Sequence, residues 1–275
     1  MHTRIDKYLF AAALLVLMGA GCRVRPSVKP QPYFPTPTPG PQVVGTALID
    51  LNGDGKKEQI ALSLSYAAGI PYPHHSLRID DQTIDIPEQS NPTGHFGIVK
   101  IGGSDPKTGY PLRQIALGDE GPSSDPTTRF YGYDGSKILF LGQTQDFYEN
   151  MRFAGDGTFT TMSRGRILDT WFHQDDFKLE NGHIIHVPRA LYERSTPVTL
   201  LVPMTFQRSP KDASPAFRLE QGSKAVITAC DDIAWCRITA DGRTGWFKIQ
   251  DYGDIVVKGK PLHGGEVFDG LSFAD

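Results

Sequence analysis

The stretch IDLNGDGKKEQIAL, residues 49–62, places four oxygen-bearing side chains around a glycine-rich turn. These side chains are Asp50, Asn52, Asp54 and Glu58. Calcium takes roughly six to eight oxygen ligands, and a tight loop can present them at alternating positions. Here Gly55 permits the sharp bend, and Lys56 can offer its backbone carbonyl. The stretch therefore predicts a calcium site, and the alternative is a metal-free turn.

The residues that flank this loop indicate strands, and this decides the predicted fold class. VVGTALI precedes the loop and QIALSLSY follows it. An EF-hand loop would carry a bidentate Glu at its twelfth position, where this chain has Ala61 in a strand-like run. Short apolar segments of the same kind recur along the chain, each bounded by Gly, Pro, Asp or Asn. Short strands with frequent turn signals predict an all-β body.

Tight-turn dipeptides and a repeated tetrapeptide support this prediction. Four dipeptides are typical of hairpin turns, because Gly, Asn and Asp tolerate positive φ: Asp134-Gly135, Asp156-Gly157, Asn181-Gly182 and Asp241-Gly242. The tetrapeptide QIAL occurs at residues 59–62 and again at 114–117. Lys100 and Gly102 stand where a second loop would need its acidic ligands. The spacing fits a repeat of propeller-blade size, and a chance identity is the alternative.

Two segments resemble known bacterial proteins. The D-x-N-x-D-G-x-x-E pattern of residues 50–58 resembles the β-flanked loops of FG-GAP and VCBS-type repeats. ALGDEGPSSDPTTRFYGYDGSKILFLG, residues 116–142, resembles a segment of secreted proteins that join a VCBS-like half to a C-terminal SH3-like module. The resemblance implies a propeller-blade-like domain over residues 43–195, in which calcium joins two strands. Asp119 and Asp125 lie in an acidic loop that could line a binding surface, and a solvated loop is the alternative.

The N-terminal residues predict export and anchoring. Arg4 and Lys7 precede a short apolar run that ends in small residues, as in a secretory signal. Gly19-Ala20-Gly21-Cys22 resembles the lipobox of bacterial lipoproteins, which implies a signal peptide over residues 1–21 and lipidation at Cys22. Ordinary secretion with cleavage at Ala20 or Gly21 is the alternative. Residues 22–42 contain seven prolines, and such a run predicts a stiff, extended tether.

Residues 196–252 carry the pattern of a second module. Its order of an RSP segment, LEQG, Trp235 and the motif DGRTGW at residues 241–246 resembles a bacterial SH3-like domain, a small β-barrel. The resemblance implies binding of cell-wall peptides or envelope partners, with Trp235, Trp246 and Phe247 as possible contacts. A place in the barrel core is the alternative for a Trp, and it is the one that we favour for Trp246. Residues 253–275 are expected to form a C-terminal tail.

Cys230 and Cys236 flank a five-residue turn in this module. Residues opposed across a hairpin lie close to disulfide reach, so a bridge is expected, and an exported protein can keep it. Two unlinked thiols are the alternative.

Composition and motifs argue against several functions. The net charge of −3 gives no electrostatic footprint for nucleic acid. The sequence has no G-x-S-x-G, H-E-x-x-H or phosphate-binding glycine loop. Asp175-Asp176 could mimic the carboxylate pair of a glycan hydrolase, although adjacent acidic residues are more often on the surface.

The sequence therefore predicts a calcium-stabilised lipoprotein that is anchored in the bacterial cell envelope. The expected function is non-catalytic binding of cell-wall peptide, glycan or a protein partner. A cell-wall hydrolase and a structural spacer without a ligand are the alternatives.

Overall fold

The computed structural model describes residues 41–65, 74–86, 92–102, 113–121 and 125–273. The predicted signal peptide, Cys22 and the tether up to residue 40 lie outside these residues. Within the described part the all-β prediction is confirmed, because strands predominate and the α-helix is a single turn at Gly264–Val267. Among these residues, no helix has the length and apolar character needed to cross a membrane.

Twelve strands form three consecutive four-stranded antiparallel sheets, here called the first, second and third meanders. The first contains β1 (Gln42–Ile49), β2 (Glu58–Ser65), β3 (His74–Ile79) and β4 (Gln82–Ile86). The second contains β5 (Pro92–Val99), β6 (Gln114–Asp119), β7 (Thr127–Tyr133) and β8 (Ile138–Gln145). The third contains β9 (Arg152–Phe153), β10 (Thr158–Arg164), β11 (Phe172–Glu180) and β12 (His183–Val187). In each meander, neighbours in sequence are neighbours in the sheet.

The second meander is covered on both faces. One face packs Ile115 and Leu117 against Ile60 and Leu62 of the first meander. The opposite face packs Phe130 with residues of the third meander. Consequently every residue of β6 is buried, and its near-continuous apolar character is that of a strand without a solvent face.

The two QIAL tetrapeptides lie in equivalent strands but not in the same register. Both occupy the second strand of a meander, β2 and β6. Ile60 faces the second meander, whereas Ile115 faces back toward the first. Since side chains alternate along a strand, a one-residue offset exchanges the two faces. The tetrapeptide identity therefore does not mark equivalent positions.

Hydrogen bonds identify the equivalent positions instead. The Glu58 carboxylate accepts the Leu51 N–H at 2.7 Å. The Gln114 amide oxygen accepts the Ile101 N–H at 2.8 Å in the same way. Each acceptor opens the second strand of its meander, opposite the last residue of the first strand. Gln114 is thus the counterpart of Glu58 in the second meander.

The C-terminal part is a seven-stranded sheet with the form of a half-barrel. Its order is β15-β14-β18-β17-β16-β13-β21. The strands are β13 (Tyr192–Leu200), β14 (Met204–Ser209), β15 (Asp212–Leu219), β16 (Lys224–Cys230), β17 (Trp235–Ala240), β18 (Arg243–Lys248) and β21 (Phe268–Asp269). A separate hairpin, β19 (Asp254–Val257) and β20 (Lys260–His263), precedes the helical turn α1.

The residues expected to form a C-terminal tail are folded against this sheet. Ile255, Val267 and Phe268 are almost fully buried and belong to its core. β13 also runs across the boundary that the sequence suggested at residue 196.

The predicted disulfide between Cys230 and Cys236 is confirmed. The two residues face each other across β16 and β17, with their Cα atoms 4.1 Å apart. Asp231 fixes the turn between them, because its Oδ1 accepts the backbone N–H groups of Ile233, Ala234 and Trp235. The bond and this side chain together hold the turn of residues 231–235.

Trp246 and Phe247 face the opposite way from the sequence-based expectation, which favoured Trp246 in the core and Phe247 at the surface. Phe247 is 1% exposed and packs against Phe206 and Phe268, so its ring belongs to the core and is not a surface contact. Trp246 points outward and is half-buried. Strand alternation is the reason, because Gly245 and Phe247 share the inner face of β18. Trp235 is also half-buried, on the same outer face as Trp246.

Candidate functional site

The acidic loop between β1 and β2 is ordered by its own backbone. The two carboxylate oxygens of Asp50 accept the N–H groups of Gly53 and Gly55, at 2.6 and 3.0 Å. Asn52 accepts the Asp54 N–H, and Asp54 accepts the Lys56 N–H. These bonds turn the side-chain oxygens toward the inside of the bend.

Three carboxylates converge in this loop. One oxygen each from Asp50, Asp54 and Glu58 can be chosen so that all lie within 4.8 Å of one another. Glu58 is buried and Asp54 is exposed, so the cluster runs from the sheet to the surface. An oxygen-only donor set fits a hard cation such as calcium, to which Asn52 and the Lys56 carbonyl could add further ligands.

The loop also abuts the second meander. A Cβ atom added at Gly135, which has φ +92°, would lie 3.0 Å from the Asn52 side-chain nitrogen. Gly135 stands in the β7–β8 turn, where Asp134 accepts the N–H groups of Ser136 and Lys137. Ordering of the acidic loop is therefore linked to contact between two meanders.

Asp119 and Asp125 occupy different environments. Asp119 is 4% exposed and accepts the Gly121 N–H at 2.7 Å, so it closes the end of β6 rather than lining a surface. Asp125 is exposed and forms an ion pair with Arg164 of β10 at 3.1 Å. Asp125 also lines a surface cavity.

A surface groove, here called the Arg164 groove, runs between the second and third meanders. It consists of two cavities of about 380 and 390 Å³ that share Thr127, Gln145 and Arg164. The apolar cavity is also lined by Pro126, Met162 and Phe172. The polar cavity is also lined by Ser163, Arg166, Asp175, His186 and Asp232.

Arginine residues in the groove are held by carboxylates. Arg164 contacts Asp125, donates to the Thr170 hydroxyl at 3.2 Å, and gives its backbone N–H to Gln145 at 2.7 Å. The Arg166 Nε lies 3.4 Å from Asp232 Oδ2. The Arg166 backbone N–H also donates to Asp232, at 2.6 Å.

A buried polar cluster adjoins the polar cavity. His186 Nε2 lies 2.8 Å from Asp175 and 3.4 Å from the Tyr192 hydroxyl. The His173 ring lies against Tyr192, with ring centroids 3.9 Å apart, and neither ring nitrogen has a hydrogen-bond partner among the residues that the structure describes. Its nitrogens lie 3.7 Å from Asp175 and 3.8 Å from Asp232. Asp232 comes from the disulfide-closed turn, so the cluster joins the third meander to the C-terminal sheet.

Asp175 is ionised within this cluster. Burial alone would raise the pKa of this carboxyl, but hydrogen bonds from His186, Ser163 and Tyr192 and the nearby His173 lower the pKa below its ordinary value. The Asp175 carboxylate lies 2.8 Å from His186 Nε2 and orients that ring. Such a pair is able to accept or donate a proton at the edge of the groove.

Asp175 and Asp176 do not form a carboxylate pair. Adjacent residues of β11 point to opposite faces. Asp176 binds Arg189 through two bonds of 2.7 and 2.9 Å, and the Arg189 contact lowers the pKa of Asp176. The alternation of side chains along a strand could have predicted from the sequence that Asp175 and Asp176 lie on opposite faces.

Sequence reasoning missed most of the groove. Arg164, Phe172 and Asp232 come from different elements and carry no motif. Their proximity depends on how the third meander packs against its neighbours, which no local pattern specifies.

Comparison with protein-family models, curated proteins and solved structures finds no match to this chain.

Proposed function

We propose that this protein is a calcium-stabilised binding lipoprotein of the bacterial cell envelope, without catalytic activity. The predicted anchor at Cys22 and the proline-rich tether would hold the folded body at a membrane surface. The body would then recognise cell-wall material or an envelope protein.

The observation that carries the binding role is the Arg164 groove. It is open at the surface, it combines exposed apolar side chains with hydrogen-bonding groups, and its charged groups are held in ion pairs. These are the general properties of a preformed ligand site.

The finer fold assignment is part of this proposal. Three stacked four-stranded meanders have the strand order expected of successive propeller blades. The C-terminal half-barrel agrees with an SH3-like module in its hairpin of β17 and β18. Trp235 and Trp246, both half-buried on one outer face, would be its contacts with a partner.

Calcium is proposed as a structural ligand of the acidic loop. The support is the convergence of the Asp50, Asp54 and Glu58 carboxylates beside the second meander. Bound calcium would offset two of these three negative charges and fix the loop against Gly135. Its chemistry would be structural, since the loop lines none of the cavities of the Arg164 groove.

The binding role is tested by sedimentation of the full-length chain with purified cell-wall sacculi. We expect the protein to pellet with sacculi and to release no muropeptides. A chain that stays in the supernatant and also captures no envelope protein would contradict the proposal and favour the structural spacer.

A hydrolase is the second candidate, and the Asp175–His186 pair favours it. In that case His186 would act on the bond bound in the polar cavity, with Asp175 as its orienting carboxylate. Release of muropeptides by the wild type, its loss in Asp175→Asn and its retention in Asp176→Asn would establish this candidate. Asp176 is a matched control because it lies on the face of β11 opposite to Asp175 and lines neither cavity of the groove.

A further inference from the structure

We propose that the Arg164 groove binds a neutral saccharide of one or two pyranose rings, stacked on Phe172. The inference rests on the proposed binding function and names the chemical class of its ligand. It assigns direct contacts to Phe172, Met162, Arg164, Asp125 and Gln145.

Phe172 and Met162 form an exposed apolar platform. Their side chains are 62% and 45% exposed, although both stand in regular strands of the third meander. Strand alternation turns their neighbours Ser163 and His173 inward, so the platform belongs to the outer face of β10 and β11. A pyranose ring offers a face of C–H groups that packs on an aromatic ring, whose π face carries partial negative charge.

Planar polar groups surround this platform. Arg164 stands directly opposite Phe172 across the β10–β11 pair. The Asn150 amide is fixed by Asp146 at 2.7 Å, and Gln145 is fixed by the Arg164 backbone. Sugar hydroxyls both donate and accept hydrogen bonds, so they can use guanidinium, amide and carboxylate groups together. Because these groups are already held in place, little side-chain entropy is lost when a ligand binds.

The charges of the groove favour a neutral ligand. Arg164 is compensated by Asp125, and Arg166 is compensated by Asp232. An anionic ligand would compete with these carboxylates, and Asp175 adds further negative charge at the polar end. A cationic ligand would face the two guanidinium groups. A neutral, hydroxyl-rich ring uses the same donors and acceptors without breaking an ion pair.

The size of the groove agrees with a short saccharide. Each cavity, at about 380 and 390 Å³, lies at the small end of the roughly 300–1,000 Å³ of ligand pockets. The two cavities share the lining residues Thr127, Gln145 and Arg164. One ring would occupy the apolar cavity, and a linked ring would reach Gln143 and His186 in the polar cavity.

The test measures binding of defined oligosaccharides to the full-length chain by titration calorimetry. The probes are the tetramer of N-acetylglucosamine, cellotetraose, trigalacturonic acid and a wall stem pentapeptide. We expect a neutral tetramer to bind and Phe172→Ala to weaken it by about tenfold or more, since an aromatic platform is lost. Phe140→Ala is the matched control, because Phe140 is 52% exposed but lies outside the groove.

A charge variant supplies a second readout. Asp125→Asn removes a negative charge that lies 3.1 Å from Arg164, so we expect weaker discrimination against trigalacturonic acid. If no saccharide binds, or if Phe172→Ala binds as well as the wild type does, the inference is wrong. Binding of the pentapeptide alone, lost in Phe172→Ala, would also overturn it and make the groove a peptide site.

Sacculus sedimentation separates this inference from the proposed function. Sacculi that bind wild type and Phe172→Ala equally would uphold the envelope function and reject the groove as its site. Oligosaccharides that bind through Phe172 while neither sacculi nor envelope proteins bind would uphold the groove and reject the envelope function.

Discussion

Glu58 combines two roles at the level of a single residue. Its carboxylate accepts the Leu51 N–H, and it also contributes to the acidic cluster. Gln114 performs the first role alone in the second meander. The backbone contact is therefore available to a neutral amide, whereas calcium binding would use the charge.

This division predicts the behaviour of Glu58→Gln. Without calcium, we expect its unfolding free energy to stay within about 0.5 kcal/mol of the wild-type value, because an amide retains the acceptor. Glu58→Ala should lose about 1–3 kcal/mol, because it leaves the buried Leu51 N–H unpaired. Urea denaturation of the three proteins in chelator measures this difference. Equal losses in both variants would show that the charge, and not the hydrogen bond, supports the calcium-free loop.

The inward orientation of Phe247 and the outward orientation of Trp246 give a second prediction at the residue scale. Phe247→Ala removes a fully buried ring and should cost about 3–5 kcal/mol of unfolding free energy. Trp246→Ala removes a half-buried ring, and we expect a clearly smaller loss in the same urea denaturation experiment. The reverse order would mean that β18 pairs with the opposite face inward.

Asp175 predicts a pH dependence of stability. A carboxyl whose pKa is lowered by folding adds stability above its ordinary pKa of 3.8, and this stability is lost as the pH falls through the folded-state value. We expect unfolding free energy to decrease below about pH 4, and to decrease less in Asp175→Asn. Urea denaturation between pH 6 and pH 3 (roughly the range of carboxyl titration) measures this. Identical pH profiles for the two proteins would contradict the assigned environment of Asp175.

At the scale of elements, the disulfide-closed turn connects two sheets. It carries Asp232, which binds the Arg166 N–H and lies beside His173 of the third meander. The loop between the cysteines is short, so the bond removes limited entropy from the unfolded chain. We expect Cys230→Ser combined with Cys236→Ser to lower the unfolding free energy by about 2 kcal/mol.

The measurement for this variant is calorimetric unfolding, with amide hydrogen exchange at Arg166 as a local readout. Faster exchange there would follow if the turn holds Asp232 in place. Unchanged exchange, together with a normal melting temperature, would show that Asp231 alone orders the turn.

Local elements could be predicted from the sequence because their causes are local. Asn181-Gly182 and Asp241-Gly242 both adopt the two positive φ angles of a tight hairpin turn. The disulfide likewise depended on a short hairpin. The sequence does not show which side chains of β18 face the core, because TGWFKI has two adjacent aromatic residues and only one of them can lie on the inner face. Only packing against Phe206 and Phe268 selects Phe247.

At the scale of the whole molecule, the sequence indicated the all-β class but not the stack of three meanders. The two QIAL tetrapeptides lie in equivalent strands, β2 and β6, but they are offset by one residue. A four-residue identity does not specify strand register. The Arg164 groove depends on contacts among β7, β8, β10 and the loop that carries Arg166. Such contacts join residues that are distant in sequence, so periodicity and motifs do not reveal them.

The central claim is that the loop of residues 50–58 binds a structural calcium ion that stabilises the stack of three meanders. Its most direct test is the melting temperature of the full-length chain in chelator and in calcium. At calcium about a hundredfold above its Kd, a single site adds about 2.7 kcal/mol, which should raise the melting temperature by about 5–10 °C. Glu58→Gln should show a much smaller rise. Equal melting temperatures of the wild type with calcium and with chelator would contradict the claim.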